Sequence, residues 1–226
     1  MAEMALGYGS EFQMLRYLGH HRMYLDNKIK LATGCDSPIK WYDYPNDPQR
    51  DSLDGEWKGI EFLQDREDYE VIKSQWKKYW PTSGSAQSWD GVFEQNGTLY
   101  VVEAKAHIKE MESECHADKI KSKPIILEAF TKANHGNEEQ ARKWIESKHY
   151  QLANRLAFLY FCEMVGIDAK LCYIMFVNGY LANATKNVSS VEAFKKAWDD
   201  ECKTLELSNT QLKKIATVYI DCTKDK

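Results

Sequence analysis

The stretch that decides the fold runs from Ser88 to Lys105, with the sequence SWDGVFEQNGTLYVVEAK. Two segments of strand-forming residues flank Asn96-Gly97, the dipeptide that type I′ hairpin turns favour because both central residues take a positive φ. A two-residue turn at that position sets the register of the strand pair and places Asp90 opposite Glu103. We therefore expect an antiparallel hairpin in which two carboxylates are cross-strand neighbours, with Cβ atoms about 4.5–5.5 Å apart.

The end of this hairpin carries three charged side chains on one face. Alternation along the strand places Lys105 on the same face as Glu103 and Asp90. Like charges directly opposite each other destabilise a sheet unless a cation lies between them, and Mg²⁺ prefers oxygen ligands of this kind. A nearby lysine can hold an attacking water or neutralise charge on a phosphate. The residues therefore predict a metal-assisted phosphate site.

The rest of the chain is divided by helical periodicity and by strand-like apolar runs. From Ser10 to Gly34 we predict one helix of about 20 residues that begins with a capping box at Ser10 and Gln13. An irregular connection is expected over Asp36–Arg50, because it is rich in Pro, Asp and Asn. The further predicted elements are a strand at Trp57–Leu63, helices at Tyr69–Tyr79, Pro124–Ala133 and Glu138–Val165, a strand at Ala169–Val177, a helix at Val191–Leu205 and a strand at Ile215–Cys222. This order predicts an α/β protein with a mixed sheet between helices.

Composition limits the class of protein. The chain has 226 residues, of which 43% are hydrophobic, enough for one domain that needs no metal or disulfide for stability. Its six cysteines form no C-x-x-C pair, which argues against a zinc ribbon or a redox motif. No run of about 18 apolar residues and no secretory leader pattern is present, so we expect no membrane association and a cytoplasmic location. The net charge of -4 argues against tight, sequence-blind binding along a duplex, but a bound cation would reverse the local sign at a site.

Asp90 followed by Glu103-Ala104-Lys105 resembles the D…(D/E)-x-K signature of the PD-(D/E)XK nuclease superfamily, although Trp89 stands where the family has a proline. Members of this superfamily combine a helix, a three-stranded meander, a second helix and a further strand. The resemblance implies an α/β fold with a restriction-endonuclease-like core (αβββαβ) over about 10–177, in which helices flank a mixed central sheet. An additional helix and strand over about 178–226 would complete a single domain spanning 1–226.

The resemblance also implies roles for individual residues. Asp90 and Glu103 would ligate Mg²⁺ or Mn²⁺ together with the backbone carbonyl of Ala104, and Lys105 would assist the nucleophilic water. Many members add an acidic residue from the first helix, for which Glu11 is the candidate here. The helix dipole alone also favours a glutamate in a first turn, so Glu11 has a second interpretation.

The predicted long helix offers contacts to substrate. Gln151 and Arg155 share a face with Lys148, and this part of the chain carries a local excess of positive charge. Some members of the superfamily place a glutamine and, four residues later, a tyrosine on this helix; Gln151 fits and Arg155 replaces the tyrosine. A buried Arg155 paired with an acid is the alternative. With the lysines at 73, 77 and 78, the basic stretch is where we expect the walls of a nucleic-acid groove.

With the resemblance, these features predict a Mg²⁺-dependent (endo)deoxyribonuclease whose partner is nucleic acid; DNA is the expected substrate, and the residues themselves do not distinguish DNA from RNA. Cutting both strands would favour a homodimer. One alternative is a non-cleaving nucleic-acid-binding or assembly protein on the same fold. Another is an enzyme that acts on small phosphate compounds through the same ion.

Overall fold

A computed structural model describes residues 9–45, 55–82, 86–117, 120–179 and 189–223. Residues 1–8 lie outside these ranges, as does the 46–50 part of the predicted irregular connection. The helices are α1 Gly9–His20, α2 Arg22–Thr33, α3 Tyr69–Tyr79, α4 Ser122–Ala133, α5 Glu138–Glu146, α6 Tyr150–Met164, α7 Val191–Thr204 and α8 Asn209–Leu212. The strands are β1 Ile39–Trp41, β2 Trp57–Lys58, β3 Ser88–Trp89, β4 Gly91–Gln95, β5 Thr98–Lys105, β6 Ala169–Val177 and β7 Ile215–Asp221.

The described residues form a mixed five-stranded sheet in the order β1-β4-β5-β6-β7. Strands β1, β4 and β5 are antiparallel neighbours, whereas β6 and β7 continue the sheet in parallel with β5. Strands β2 and β3 form a separate antiparallel pair. Helices cover both faces of the sheet, so the predicted α/β class with a mixed, helix-flanked sheet is confirmed. No helix in the described part of the chain is long and apolar enough to cross a membrane.

The hairpin of β4 and β5 has the register that its turn residues predict. Asn96 and Gly97 have φ values of 51° and 78°, the positive values that a type I′ turn needs. Gln95 pairs with Thr98, and the ladder continues as far as Gly91. Asp90 lies one residue before β4, at a bend, where its backbone N–H donates to the Val102 carbonyl at 3.2 Å. The register therefore brings Asp90 to the end of β5 without making it part of the ladder.

Alternating side chains of the hairpin enter two hydrophobic layers. On one face, Val92 and Val101 pack among residues of α3, α4, α6 and α7. On the other, Phe93 and Tyr100 stack with ring centroids 4.7 Å apart and pack against α1 and α2. Both faces of these strands are buried, as their apolar composition predicts.

The prediction of a single first helix was wrong. α1 ends at His20 and α2 begins at Arg22, because His21 adopts a non-helical conformation with φ -126° and ψ 29°. This break lets Tyr17 and Leu25 both bury their side chains completely against the sheet. Ser10 lies within α1, so the capping-box prediction was also wrong, whereas Gly34 ends α2 in a left-handed conformation as expected.

The first strand of the sheet was also predicted in the wrong place. Trp57–Leu63 contributes only the short strand β2, followed by a turn and a 3₁₀ helix at Glu61–Leu63. The strand beside β4 is β1, which lies within the stretch predicted to be irregular. β1 is a short edge strand just after Pro38, a position where proline is tolerated and where local alternation is too brief to be detected.

The predicted long helix is two helices. α5 ends at Glu146, and Ser147 is extended with φ -74° and ψ 156°, so the helical ladder stops before α6. The backbone of Ser113 forms the hydrogen bonds that are missing from the helix at this break. Its N–H donates to the Lys148 carbonyl, and its carbonyl accepts from the Tyr150 N–H. The start of α6 is therefore set by a segment that lies far away in sequence.

Candidate functional site

Asp90 bonds to the backbone of the facing strand. Its Oδ2 accepts a hydrogen bond from the Ala104 N–H at 2.7 Å, and the Tyr44 hydroxyl donates to the Asp90 carbonyl at 2.6 Å. Burial and the nearby Glu103 carboxylate raise the pKa of Asp90 to about 8, although Lys105 and the Ala104 N–H oppose that shift. The positive charge near Asp90 is thus too weak to offset the effects that favour its neutral, protonated form.

Glu103 has the opposite electrostatic environment. Its side chain is almost completely buried, and its Oε1 accepts from Lys105 Nζ at 2.6 Å while its Oε2 accepts from Arg155 Nε at 2.8 Å. Burial alone would raise the pKa of Glu103, but the ammonium and guanidinium groups outweigh it and lower the pKa. Glu103 is therefore ionised and paired with two cations.

Lys105 is held from two directions. Besides the bond to Glu103, its Nζ donates to Gln151 Oε1 at 2.6 Å, which connects β5 to the first turn of α6. An ammonium group has three N–H donors, so one remains for a water or a phosphate oxygen. The structure thus joins Glu103, Lys105, Gln151 and Arg155 into one set of contacts, which we call the ion-pair network.

Arg155 is directed into the protein, with 4% of its surface exposed. Its guanidinium donates to the Ser88 carbonyl at 2.8 Å and lies over the Trp89 ring, 4.5 Å from the centroid. Trp89 is itself completely buried and donates through Nε1 to the Gly59 carbonyl at 2.8 Å. Of the two interpretations left open by the sequence, pairing of Arg155 with a buried acid is the one that these contacts match.

Lys148 lies apart from the ion-pair network. Its side chain is exposed and forms an ion pair with Glu112 at 2.9 Å. Among the three substrate-binding candidates on this part of the chain, only Gln151 contacts Lys105. Lys148 lies in the break between α5 and α6. The sequence analysis predicts one continuous helix there and so places Lys148 on the same face as Gln151.

A small pocket of about 50 Å³ opens beside Asp90. Two further carboxylates line it: Glu11 from the first turn of α1, and Glu56 from the residue before β2. Burial raises the pKa of Glu56, and the negative charges of Glu11 and Glu103 raise it further, whereas a hydrogen bond with Ser88 lowers it. The remaining lining residues are Met14, Leu15 and Tyr44.

Glu56 is the residue of this pocket that sequence reasoning missed. It stands directly before Trp57, and Trp57 pairs with Trp89, the neighbour of Asp90, in the small β2-β3 sheet. That pairing joins residues more than thirty positions apart and has no turn signal. Glu56 thus carries no local sequence signal that would link it to Asp90.

The donor atoms at this site match Mg²⁺ in their chemistry. Carboxylate and carbonyl oxygens are the ligands that Mg²⁺ prefers, and the raised pKa of Asp90 indicates a carboxyl group that a cation would stabilise. However, both oxygens of Glu103 already accept from cationic side chains, and no three His, Cys, Asp or Glu side chains within the described ranges converge as a metal-binding group. The residues fit the ion in chemistry, and Glu103 would have to bind it through its remaining lone pairs.

The chain matches no protein-family model, no curated protein and no solved structure. The resemblance to the PD-(D/E)XK superfamily therefore rests on Asp90, Glu103 and Lys105 and on the order of elements around them.

Proposed function

We propose that this protein is a Mg²⁺-dependent deoxyribonuclease that hydrolyses phosphodiester bonds at Asp90, Glu103 and Lys105. The observation that carries the proposal is the arrangement of these three side chains at one end of the hairpin, where Glu103 and Lys105 are buried and Asp90 is half-buried. Lys105 is held 2.6 Å from both Glu103 and Gln151, beside an Asp90 whose pKa is raised to about 8. A carboxyl group whose pKa is raised by burial and by a neighbouring carboxylate is stabilised by a divalent cation.

The order of elements supports the same proposal. A helical pair (α1 and α2), three antiparallel strands (β1, β4 and β5), a helix (α6) and a parallel strand (β6) follow one another in the order that the superfamily resemblance implies. β2, α3 and β3 are inserted between β1 and β4, and α4 and α5 before α6, while α7, α8 and β7 follow the core. Asp90 precedes the second antiparallel strand, and Glu103 and Lys105 end the third.

Each residue has a role that follows from its contacts. Asp90, Glu103 and the Ala104 carbonyl would hold the ion, with Glu11 and Glu56 facing the adjacent pocket. Bound Mg²⁺ would act as a Lewis acid that stabilises the negative charge developing on the phosphate. The remaining N–H of Lys105 would orient the attacking water or bind a phosphate oxygen.

DNA cleavage tests this proposal. Purified protein incubated with supercoiled and linear DNA should cleave it with Mg²⁺ or Mn²⁺ and not with a chelator. Lys105→Ala should lower the rate by about 10²–10³-fold, the usual effect of losing one group that stabilises transition-state charge. Lys109→Ala, an exposed lysine in the 3₁₀ helix that follows β5, is the matched control and should cleave like the wild type. The proposal is wrong if no DNA is cleaved, or if Lys105→Ala cleaves normally.

A non-cleaving nucleic-acid-binding or assembly protein is the second candidate. It is favoured by the pairing of Glu103 with Lys105 and Arg155, which leaves this carboxylate fully compensated by the protein's own cations. Titration with Mn²⁺ separates the two candidates. A metal enzyme should gain a few degrees in Tm with Mn²⁺ and lose that gain in Asp90→Asn, whereas a scaffold of this kind should show no gain.

A further inference from the structure

We propose that Glu201 is a positioning residue of this site. Its carboxylate holds His149 at the start of α6 and thereby keeps Gln151 in place against Lys105. Glu201 lies on α7, outside the part of the chain that resembles the nuclease superfamily. The predicted effect on cleavage rests on the proposed function, whereas the contacts themselves do not.

Glu201 is a buried acid with partners on two other elements. Only 1% of its surface is exposed. Its Oε1 lies 3.4 Å from His149 Nδ1, and its Oε2 accepts from the Tyr173 hydroxyl on β6 at 3.4 Å. Burial raises the pKa of Glu201, while His149, Lys105 and Tyr173 each oppose the shift. Tyr173 pairs with Glu103 in the β5-β6 ladder, so Glu201 reaches the layer directly beside the ion-pair network.

His149 is held along one edge of its ring. Its Nδ1 also lies 3.2 Å from the Met111 carbonyl oxygen. Because a carbonyl oxygen can only accept, Nδ1 must carry the proton, and the Glu201 carboxylate is then its second acceptor. The other ring nitrogen, Nε2, is buried and has no hydrogen-bond partner among the described residues. Without Glu201, the Met111 carbonyl would be the one acceptor left for the imidazole among the described residues.

His149 is also the residue that begins α6. It occupies the N-cap position with φ -122° and ψ 33°, and its side chain caps no helical N–H. Two residues later, the Gln151 N–H donates to Ser113 Oγ at 2.7 Å and the Gln151 carboxamide accepts from Lys105. Because the helical ladder is interrupted just before His149, the contacts of its ring help to decide where the first turn of α6 lies. A displacement of His149 would therefore move Gln151 away from Lys105.

Two substitutions of Glu201 test this inference. Glu201→Leu fills the space without an acceptor, whereas Glu201→Gln keeps an oxygen for the Nδ1 proton. Asp200→Asn, on the exposed face of α7, is the matched control.

In the NMR spectrum, Glu201→Leu should shift the ring signals of His149 and the side-chain amide signals of Gln151. It should also lower kcat for DNA cleavage by about 10–100-fold with little change in KM, since a small misplacement of a positioned group has effects of this size. Glu201→Gln should restore most of the rate, and Asp200→Asn should change neither signal nor rate.

The inference is overturned if folded Glu201→Leu leaves the Gln151 amide signals unchanged, or if it lowers Tm while the folded protein keeps its full kcat. If Glu201→Leu does not fold, Tyr173→Phe replaces it, because it removes only the hydroxyl that contacts Glu201. It should shift the same signals by a smaller amount, and unchanged signals would again overturn the inference. A wild type that cleaves no DNA would defeat the proposed function, while the NMR signals would still decide the role of Glu201.

Discussion

Arg155 illustrates how partners distant in the sequence decide what a charged side chain does. Its surroundings in α6 are almost wholly apolar, so the sequence alone allows either a substrate contact or a buried ion pair. The structure places its guanidinium between the Glu103 carboxylate and the Trp89 ring. A cation in this position keeps Glu103 ionised and so preserves the ion pair between Glu103 and Lys105.

Replacing Arg155 by methionine should strongly destabilise the protein. Met preserves most of the side-chain volume but leaves Glu103 buried with Lys105 as its one remaining cationic partner. Loss of one partner from a buried ion pair lowers the free energy of unfolding by about 3–5 kcal/mol, which urea denaturation would measure. Arg142→Met is the control, because Arg142 forms an exposed pair with Glu138 and its loss should have little effect. Equal effects of the two substitutions would show that Arg155 is not an essential counterion.

Asp90 should make the stability depend on pH. Its pKa is raised from 3.8 to about 8, so between these values the folded state binds more protons than the unfolded state does. The contribution of Asp90 is therefore fully present below pH 3.8 and is lost as the pH rises towards 8. With a chelator present, the free energy of unfolding of the wild type relative to Asp90→Asn should fall across this range, by at most about 1.4 kcal/mol per pH unit. Parallel pH profiles for the two proteins would contradict the assignment.

At the level of elements, the hairpin turn is the feature on which the site geometry depends. Gly97 has a φ of 78°, where an L side chain is strained, and a Cβ there would meet no other atom. Gly97→Ala should therefore lower the free energy of unfolding through backbone strain alone, by about 1–2 kcal/mol. Gly19→Ala in α1 is the control: a Cβ there also meets open space, but the backbone is helical, so stability should rise by up to about 1 kcal/mol. Denaturation in urea would measure both, and a neutral Gly97→Ala would remove the proposed role of the turn.

The elements that could be predicted from the sequence are those whose signal is local. The turn at Asn96-Gly97 and the nearly continuous apolar run of β6 are each contained within a few residues, and both predictions are confirmed. β1, the start of α6 and the pairing that brings Glu56 to Asp90 depend on contacts between distant segments. The site divides in the same way: Asp90 and Glu103 follow from the hairpin register, whereas their partners Arg155 and Glu56 come from other elements.

At the scale of the whole molecule, the distribution of charge matters more than the net value of -4. The basic stretch expected to line a nucleic-acid groove is largely neutralised by acids. Arg142 pairs with Glu138, Lys143 with Glu139 and Glu206, and Lys148 with Glu112.

The other predicted groove wall is α3, where Lys73 lies 3.6 Å from Glu70. By contrast, Lys77 and Lys78 in the last turn of α3 are exposed and have no acidic partner among the described residues. Within the part of the chain that the structure describes, Lys77 and Lys78 are thus the cations of the two predicted groove walls that no acid neutralises.

The salt dependence of DNA binding should therefore identify α3 as the groove wall. Each phosphate neutralised by the protein adds about -0.9 to the slope of log K against log salt on duplex DNA. With a chelator present to prevent cleavage, replacing Lys77 and Lys78 by alanine should weaken binding and make the slope shallower by about 1–2 units. Arg142→Ala should leave the slope unchanged, because this arginine is already paired with Glu138. Since both lysines also interact favourably with the C-terminal end of the helix dipole, Tm must be measured to exclude a loss of folding. A slope that changes with Arg142 and not with the two lysines would place the bound DNA along α5.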